Sequence, residues 1–173
     1  MLPRWNPGRA GAFLASGGGL TVNPPDEKNA CNTHVSRGRA AIVSTHLEGV
    51  FEVTSWSEDQ AGGLEGAAKV TTAGIGQRFT GGIEAETKWD MVMAYRDDGT
   101  ADFVGYQRLQ GRIGDKAGTF VLKGLGEFDG KEARTHLEVV PGTSTGELKG
   151  LRGTGVAVAP MGSTGTFSLD YDL

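Results

Sequence analysis

From Leu47 to the C-terminus, apolar and polar residues alternate in short runs, and turns bearing glycine or aspartate separate the runs. Alternation with period two puts one residue set on each face of a β-strand. "VFEVTSW" sets Phe51 and Val53 against Glu52 and Thr54. The longest run sets Ile83, Ala85, Thr87, Trp89, Met91, Met93 and Tyr95 against Glu84, Glu86, Lys88, Asp90 and Val92. "RDDGT", Arg96 to Thr100, reads as a hairpin turn, because Asp98-Gly99 can take the positive φ that tight hairpins need. The next strand, "TADFVGYQRLQGRI", puts Phe103, Gly105 and Gln107 on one face and Val104, Tyr106 and Arg108 on the other. "GDKAG" turns into "TFVLKGLGEF", with Phe120, Leu122 and Phe128 on one face and Gly124 and Gly126 between them. "FDGK" turns into "EARTHLEVV", where Ala133, Thr135, Leu137 and Val139 line up. "GTSTGELKGLRGTG" is a glycine-rich corner with room for one helical turn, and "VAVAP" and "TGTFSLDYDL" close the chain.

About eight strands with hairpin-length connections and no long helix predict an all-β fold. Sequential strands joined by tight turns favour an up-and-down antiparallel sheet. Such a sheet must close or stack, because open edges template aggregation, and no helical layer is available to cover it. A single eight-stranded antiparallel β-barrel is the expected architecture, with a β-sandwich second.

Composition changes this picture at one end. Residues 1–42 show neither a strand nor a helix period, and they hold Pro3, Pro7, Pro24, Pro25, the Gly17-Gly18-Gly19 run and the sole cysteine, Cys31. Arg4, Arg9, Lys28, Arg37 and Arg39 against Asp26 and Glu27 give this stretch +3, so the chain's −4 leaves −7 for residues 43–173. The expected organisation is a leader, 1–42, and a barrel domain, 43–173. The leader is expected to be disordered or to lie upstream of the natural start, with Val43 read from a GTG initiation codon. A secretory signal fits poorly, since "AGAFLASGGGL" is short and broken by glycines. No run of about 18 apolar residues occurs, so no membrane-spanning segment is expected and a cytoplasmic location is. The acidic balance of the barrel domain argues against a nucleic-acid partner. The 29 glycines among 173 residues exceed the usual share of about 7%. In a barrel they serve at turns and sharply coiled corners.

Candidate chemistry is sparse. His34, His46 and His136 are far apart in the chain, and no spacing suits a metal site, so neither a metal nor a cofactor is expected. No Ser-His-Asp or Cys-His pattern is recognisable. Gly74-Ile75-Gly76 lies in a strand pattern, not in the strand-turn-helix context of a dinucleotide fingerprint. Glu84, Glu86 and Asp90 sit opposite the apolar face of their strand and are expected on the outer wall, as is His136. The inner face is the strongest constellation. Phe51, Trp89, Met91, Tyr95, Phe103, Gln107, Phe120, Phe167 and Tyr171 are expected to line the lumen, with Met93, Thr135 and Ser55 beside them. With Phe103 inside, Val104 and Tyr106 fall outside, and exposed apolar residues on a barrel wall suggest a contact between subunits, hence a homo-oligomer.

"GVFEVTSW", "MAYRDDGTADFVGYQRLQG", "GTFVLKGLGEFDG", "VVPGTSTGELKGLRGTG" and the closing "TFSLDYDL" resemble, in order, a bacterial family of small proteins of unknown function. The likeness covers Ser44 to Leu173. It implies the allene oxide cyclase-like barrel, an architecture shared with plant allene oxide cyclases, dirigent proteins and some bacterial spirotetronate cyclases. The stretch "GTSTGELKGLRGTG" is similar to the glycine-rich corner of the plant proteins. Where relatives often carry a Glu-Arg pair this chain has Gln107-Arg108, and where they often carry Gln-His it has Lys123-Gly124. Any role of those missing groups does not transfer.

Three classes of function fit such a barrel: a module that binds a small apolar molecule in its lumen, a cyclase or isomerase that folds a reactive apolar substrate, and an assembly protein with a filled core. In the related cyclases barrel shape and apolar packing position the substrate, which needs few acids or bases. The volume left inside the lumen separates the third class from the first two.

Overall fold

The computed structural model describes residues 44–63 and 67–173. The expectations for residues 1–42, including those on Cys31 and His34, lie outside the described residues. Eight antiparallel strands close into one barrel in sequence order, β8 pairing back onto β1. They are β1 (Thr45–Gln60), β2 (Val70–Gly81), β3 (Ile83–Tyr95), β4 (Ala101–Ile113), β5 (Lys116–Phe128), β6 (Glu132–Val139), β7 (Arg152–Pro160) and β8 (Gly165–Asp172). The expected barrel is therefore the observed one, and the sandwich is not. No described helix is long and apolar enough to cross a membrane.

Strict alternation is best seen in β3, where every second residue from Ile83 to Met93 is buried and the residues between are exposed. The exposed acids are paired with arginines along the outer wall: Glu86 takes Arg78 Nε at 2.7 Å, Glu84 takes Arg112, and Asp90 takes Arg108. They form a solvated outer face. The β3–β4 turn is the hairpin read from "RDDGT": Gly99 has φ +83°, its N–H donates to the Arg96 carbonyl at 3.0 Å, and Asp98 Oδ1 accepts from the Thr100 N–H at 2.9 Å.

The two ends of the barrel differ. At one end the glycine-rich corner forms a 3-10 turn, Gly146–Leu148. This turn is stitched to the start of β5: the Thr145 N–H donates to the Thr119 carbonyl at 2.8 Å, and the Ala117 N–H donates to Glu147 Oε2 at 3.0 Å. It presses Leu148 and Leu151 into the barrel, where they are 0% and 1% exposed. Ile83, Leu109, Leu122 and Leu169 pack against this plug, each 2% exposed or less. Burying side chains of this size contributes about 1.5–3 kcal/mol each. The other end carries the β1–β2, β3–β4, β5–β6 and β7–β8 connections and stays open.

Candidate functional site

A cavity of about 930 Å³ occupies the open half of the barrel. Its walls are mostly apolar, with Phe51, Ile75, Phe79, Met91, Met93 and Phe103 inside and Trp56, Phe128 and Met161 at the mouth. On the β6–β7 side the wall is built of small residues, Ala133, Ala157 and Ala159, which leave the space that the aromatics of β1 to β4 face. Phe51 stacks on Phe79 with ring centres 5.2 Å apart, and Phe79 meets Phe167 at 4.6 Å.

The aromatics fit because glycines stand where their rings lie. A Cβ on Gly124 would collide with the outer edge of the Trp89 indole, and one on Gly165 would collide with the Phe51 ring. Here glycine is required by close approach rather than by a turn.

Polar groups gather at the inner end of this cavity. Trp89 Nε1–H donates to Gln77 Oε1 at 3.0 Å. Gln107 Nε2 donates to the same oxygen at 2.9 Å and to Thr87 Oγ1 at 2.8 Å. This pattern fixes the orientation of both amides. It leaves two capacities unused: Gln107 Oε1 is buried with no partner, and Gln77 Nε2, on the cavity wall, has no acceptor among the described residues. A buried polar atom left without a partner costs about 1–3 kcal/mol. The site therefore sets an amide pair at the inner end of a mostly apolar cup, with Gln107 Oε1 closed off from the cavity and Gln77 on its wall.

A second polar group sits at the mouth. Tyr95 Oη–H donates to a Glu58 carboxylate oxygen at 2.8 Å, the Trp56 indole N–H reaches the other oxygen at 3.3 Å, and the Lys69 ammonium lies 4.4 Å from the centre of the Tyr95 ring. Partial burial disfavours the charge on Glu58, but the nearby Thr71 hydroxyl, hydrogen bonds from Tyr95 and Trp56 and the Lys69 charge outweigh it and hold the carboxyl below its ordinary value. Burial and the bond to the Glu58 carboxylate push the Tyr95 phenol up. Both groups are thus held more firmly in their usual states, carboxylate and neutral phenol, which is the reverse of what acid–base catalysis near neutral pH asks for.

Of the residues expected from the sequence to line the lumen, Phe51, Trp89, Met91, Met93, Tyr95, Phe103, Gln107 and Thr135 face the cavity. Phe120, Phe167 and Tyr171 do not. Phe120 and Phe167 are 2% and 4% exposed and belong to the packed core, and Tyr171 sits half-buried at the closed end of β8 against Gly153 and Thr45. Ser55 is exposed on the outer wall. A β-bulge between Val53 and Ser55 inserts a residue, so the alternation changes phase there. Its consequence is that Trp56 and Glu58, opposite the buried Ile75 and Ala73, turn inward where simple alternation would have placed Ser55 and Ser57. Trp56, Glu58, Gln77 and Phe79 were missed for this reason and because β2, "VTTAGIGQRFTG", alternates weakly. The readable signal was the excess of polar residues after Trp56, which fits an outer face or a mouth better than a lumen. Among the described residues no group of three His, Cys, Asp or Glu side chains gathers that could hold a metal ion.

A family model described as "Protein of unknown function (DUF3224)" matches residues 47–171. Among solved structures, a protein of unknown function from that family in Shewanella oneidensis MR-1 is similar, with 27% sequence identity, a TM-score of 0.65, and coverage of 75% of this chain and 98% of that one. No curated protein matches.

Proposed function

The chain belongs to the DUF3224 family of proteins of unknown function, and from that premise we propose that its barrel binds a small, mostly apolar molecule in the open half of the lumen. The observation that carries this is the cavity of about 930 Å³, apolar on its walls and with an amide pair at its inner end. Ligand sites are typically clefts of about 300–1,000 Å³ with a few placed polar groups. The ligand that fits carries one carbonyl, hydroxyl or similar group able to accept from Gln77 Nε2, with its apolar part toward Phe51, Met93 and Phe103. The free volume speaks against a filled-core assembly role. The uncharged amides inside, and the direction in which Glu58 and Tyr95 shift, favour binding over acid–base chemistry.

The full chain should be titrated with 1-anilinonaphthalene-8-sulfonate. Saturable one-to-one fluorescence enhancement in the range of about 1–100 μM, with quenching of tryptophan emission, is the expected result. Ala159→Trp, on the small-residue wall, should abolish it while leaving the melting temperature within a few degrees. Absence of saturable binding, or binding that Ala159→Trp leaves intact, would overturn the proposal, since a probe on the outer wall ignores that substitution.

A further inference from the structure

The outer wall carries an unbroken row of side chains across five strands. Val92 on β3 is paired with Val104 on β4, Val104 with Leu125 on β5, Leu125 with His136 on β6, and His136 with Val156 on β7. Directly paired residues in an antiparallel sheet share a face, and all five are exposed. The apolar members are well out in solvent: Val92 and Val104 at 46%, Leu125 at 59% and Val156 at 38%. At about 4.8 Å per strand the row runs about 19 Å. Exposed apolar side chains are ordinary when scattered, but a contiguous stripe with a polar rim marks a contact surface.

The rim says what the contact is. On the mouth side of the row the outward residues of β4, β5 and β6 are Asp102, Glu127 and Arg134, which are cross-strand neighbours. On the closed side they are Tyr106, Lys123 and Glu138, again neighbours. We propose that this face is a dimer interface with a second copy of the chain, related by a two-fold axis that runs along the row through Leu125. That axis lays each strand antiparallel to its own copy, so the mouth-side rim of one chain meets the closed-side rim of the other. Lys123 then faces Glu127, Arg134 faces Glu138, and the Tyr106 hydroxyl faces the Asp102 carboxylate. All three strands are complementary to themselves in this register, which is the property an isologous interface needs. A two-fold axis along the strands would set Lys123 against Lys123 and Glu127 against Glu127 at the centre, and like charges in a desolvated contact act against that arrangement. Within one chain Lys123 pairs with Glu138 at 2.7 Å and Arg134 with Glu132 at 2.7 Å, but Lys123, Glu138 and Arg134 are 47%, 51% and 64% exposed and retain hydrogen-bonding capacity for a second partner.

The test is sedimentation of the full chain with charge variants. Wild type should sediment as a dimer. Leu125→Glu should give monomers that keep a single cooperative circular-dichroism melting transition, because the side chain is mostly exposed in the single chain. Lys123→Glu and Glu127→Lys should each weaken the dimer by about tenfold or more, and the double variant Lys123→Glu/Glu127→Lys should recover most of the loss, since each new charge meets its opposite across the axis. A monomeric wild type overturns the proposal, including the case in which hydrogen exchange shows residues 1–43 covering the row. A dimer indifferent to Leu125→Glu overturns it as well. Single variants that the double variant fails to rescue overturn the register.

Discussion

The indole of Trp89, on β3, leans past β4 and fills the space that a side chain on Gly124, on β5, would occupy. The pair is separated by two strand positions, so the glycine is specified by a ring that is not its direct neighbour. Gly124→Ala should therefore cost about 1–3 kcal/mol through overpacking. Gly62→Ala, in open space, should change stability by less than about 0.5 kcal/mol. Trp89→Phe removes the colliding ring atoms, so the double variant should lose less than the sum of the single changes. Urea unfolding of the four proteins checks this.

The amide pair predicts an asymmetry between two substitutions of like shape. Gln77→Leu strands the buried Trp89 N–H, which then has no acceptor, and should cost about 1–3 kcal/mol. Gln107→Leu removes two hydrogen bonds but also removes the acceptor Oε1 that had no partner, and should cost less than about 1 kcal/mol. Equal losses in chemical denaturation would contradict the assigned network.

The bulge on β1 sets which side chains stand at the mouth. Deleting Thr54 removes the extra residue, so Ser55 alone follows Val53 on the outer face and Trp56 and Glu58 keep their inward places opposite Ile75 and Ala73. Tyr95 then keeps its acceptor, and the tryptophan emission of the mouth should stay where it is in wild type. A red shift of that emission as Trp56 enters water, or loss of the Tyr95 hydrogen bond at a cost of about 1–3 kcal/mol in urea unfolding, would contradict the assigned bulge.

The β1–β8 seam carries a pH response. The hydrogen bond from His46 Nδ1 to Asp170 Oδ1 at 2.6 Å, with a weaker one to Glu48, holds the imidazole pKa above its ordinary 6.5. A raised folded-state value means that the contribution is fully present below about pH 6.5 and is lost as pH rises through the raised value. The melting temperature should decline over that window, slightly because the pair is exposed. Asp170→Asn should flatten the decline, and the His46 ring proton resonances should titrate above 6.5 in wild type and nearer to it in the variant.

Much of the barrel was legible because each strand from β3 to β6 keeps a clean two-residue period over an apolar face. Ile83 to Met93 and Phe103 to Leu109 could be assigned to the lumen residue by residue. Depth along the strand was not legible. Periodicity tells inside from outside but not open half from packed half, so Phe120 and Phe167 looked equivalent to Phe51 and Phe103. What separates them is the 3-10 turn that fills one end with Leu148 and Leu151, a tertiary event without a periodic trace. Phase changes were hidden for a related reason: one inserted residue at Thr54 reverses every later assignment on β1, and its local trace is only the run of polar residues after Trp56.

The turn at Gly146–Leu148 has a kinetic consequence. With that end sealed by leucines, a molecule bound in the lumen as proposed would depart by the route it entered, between the β3–β4, β5–β6 and β7–β8 connections. Contacts deep in the cup fix how strongly a guest is held, whereas Met161, Phe128 and Trp56 act on entry and exit together and leave their ratio nearly constant. Substitutions at those mouth residues should thus retime exchange without altering equilibrium occupancy, so residence time and affinity can be tuned separately in this barrel.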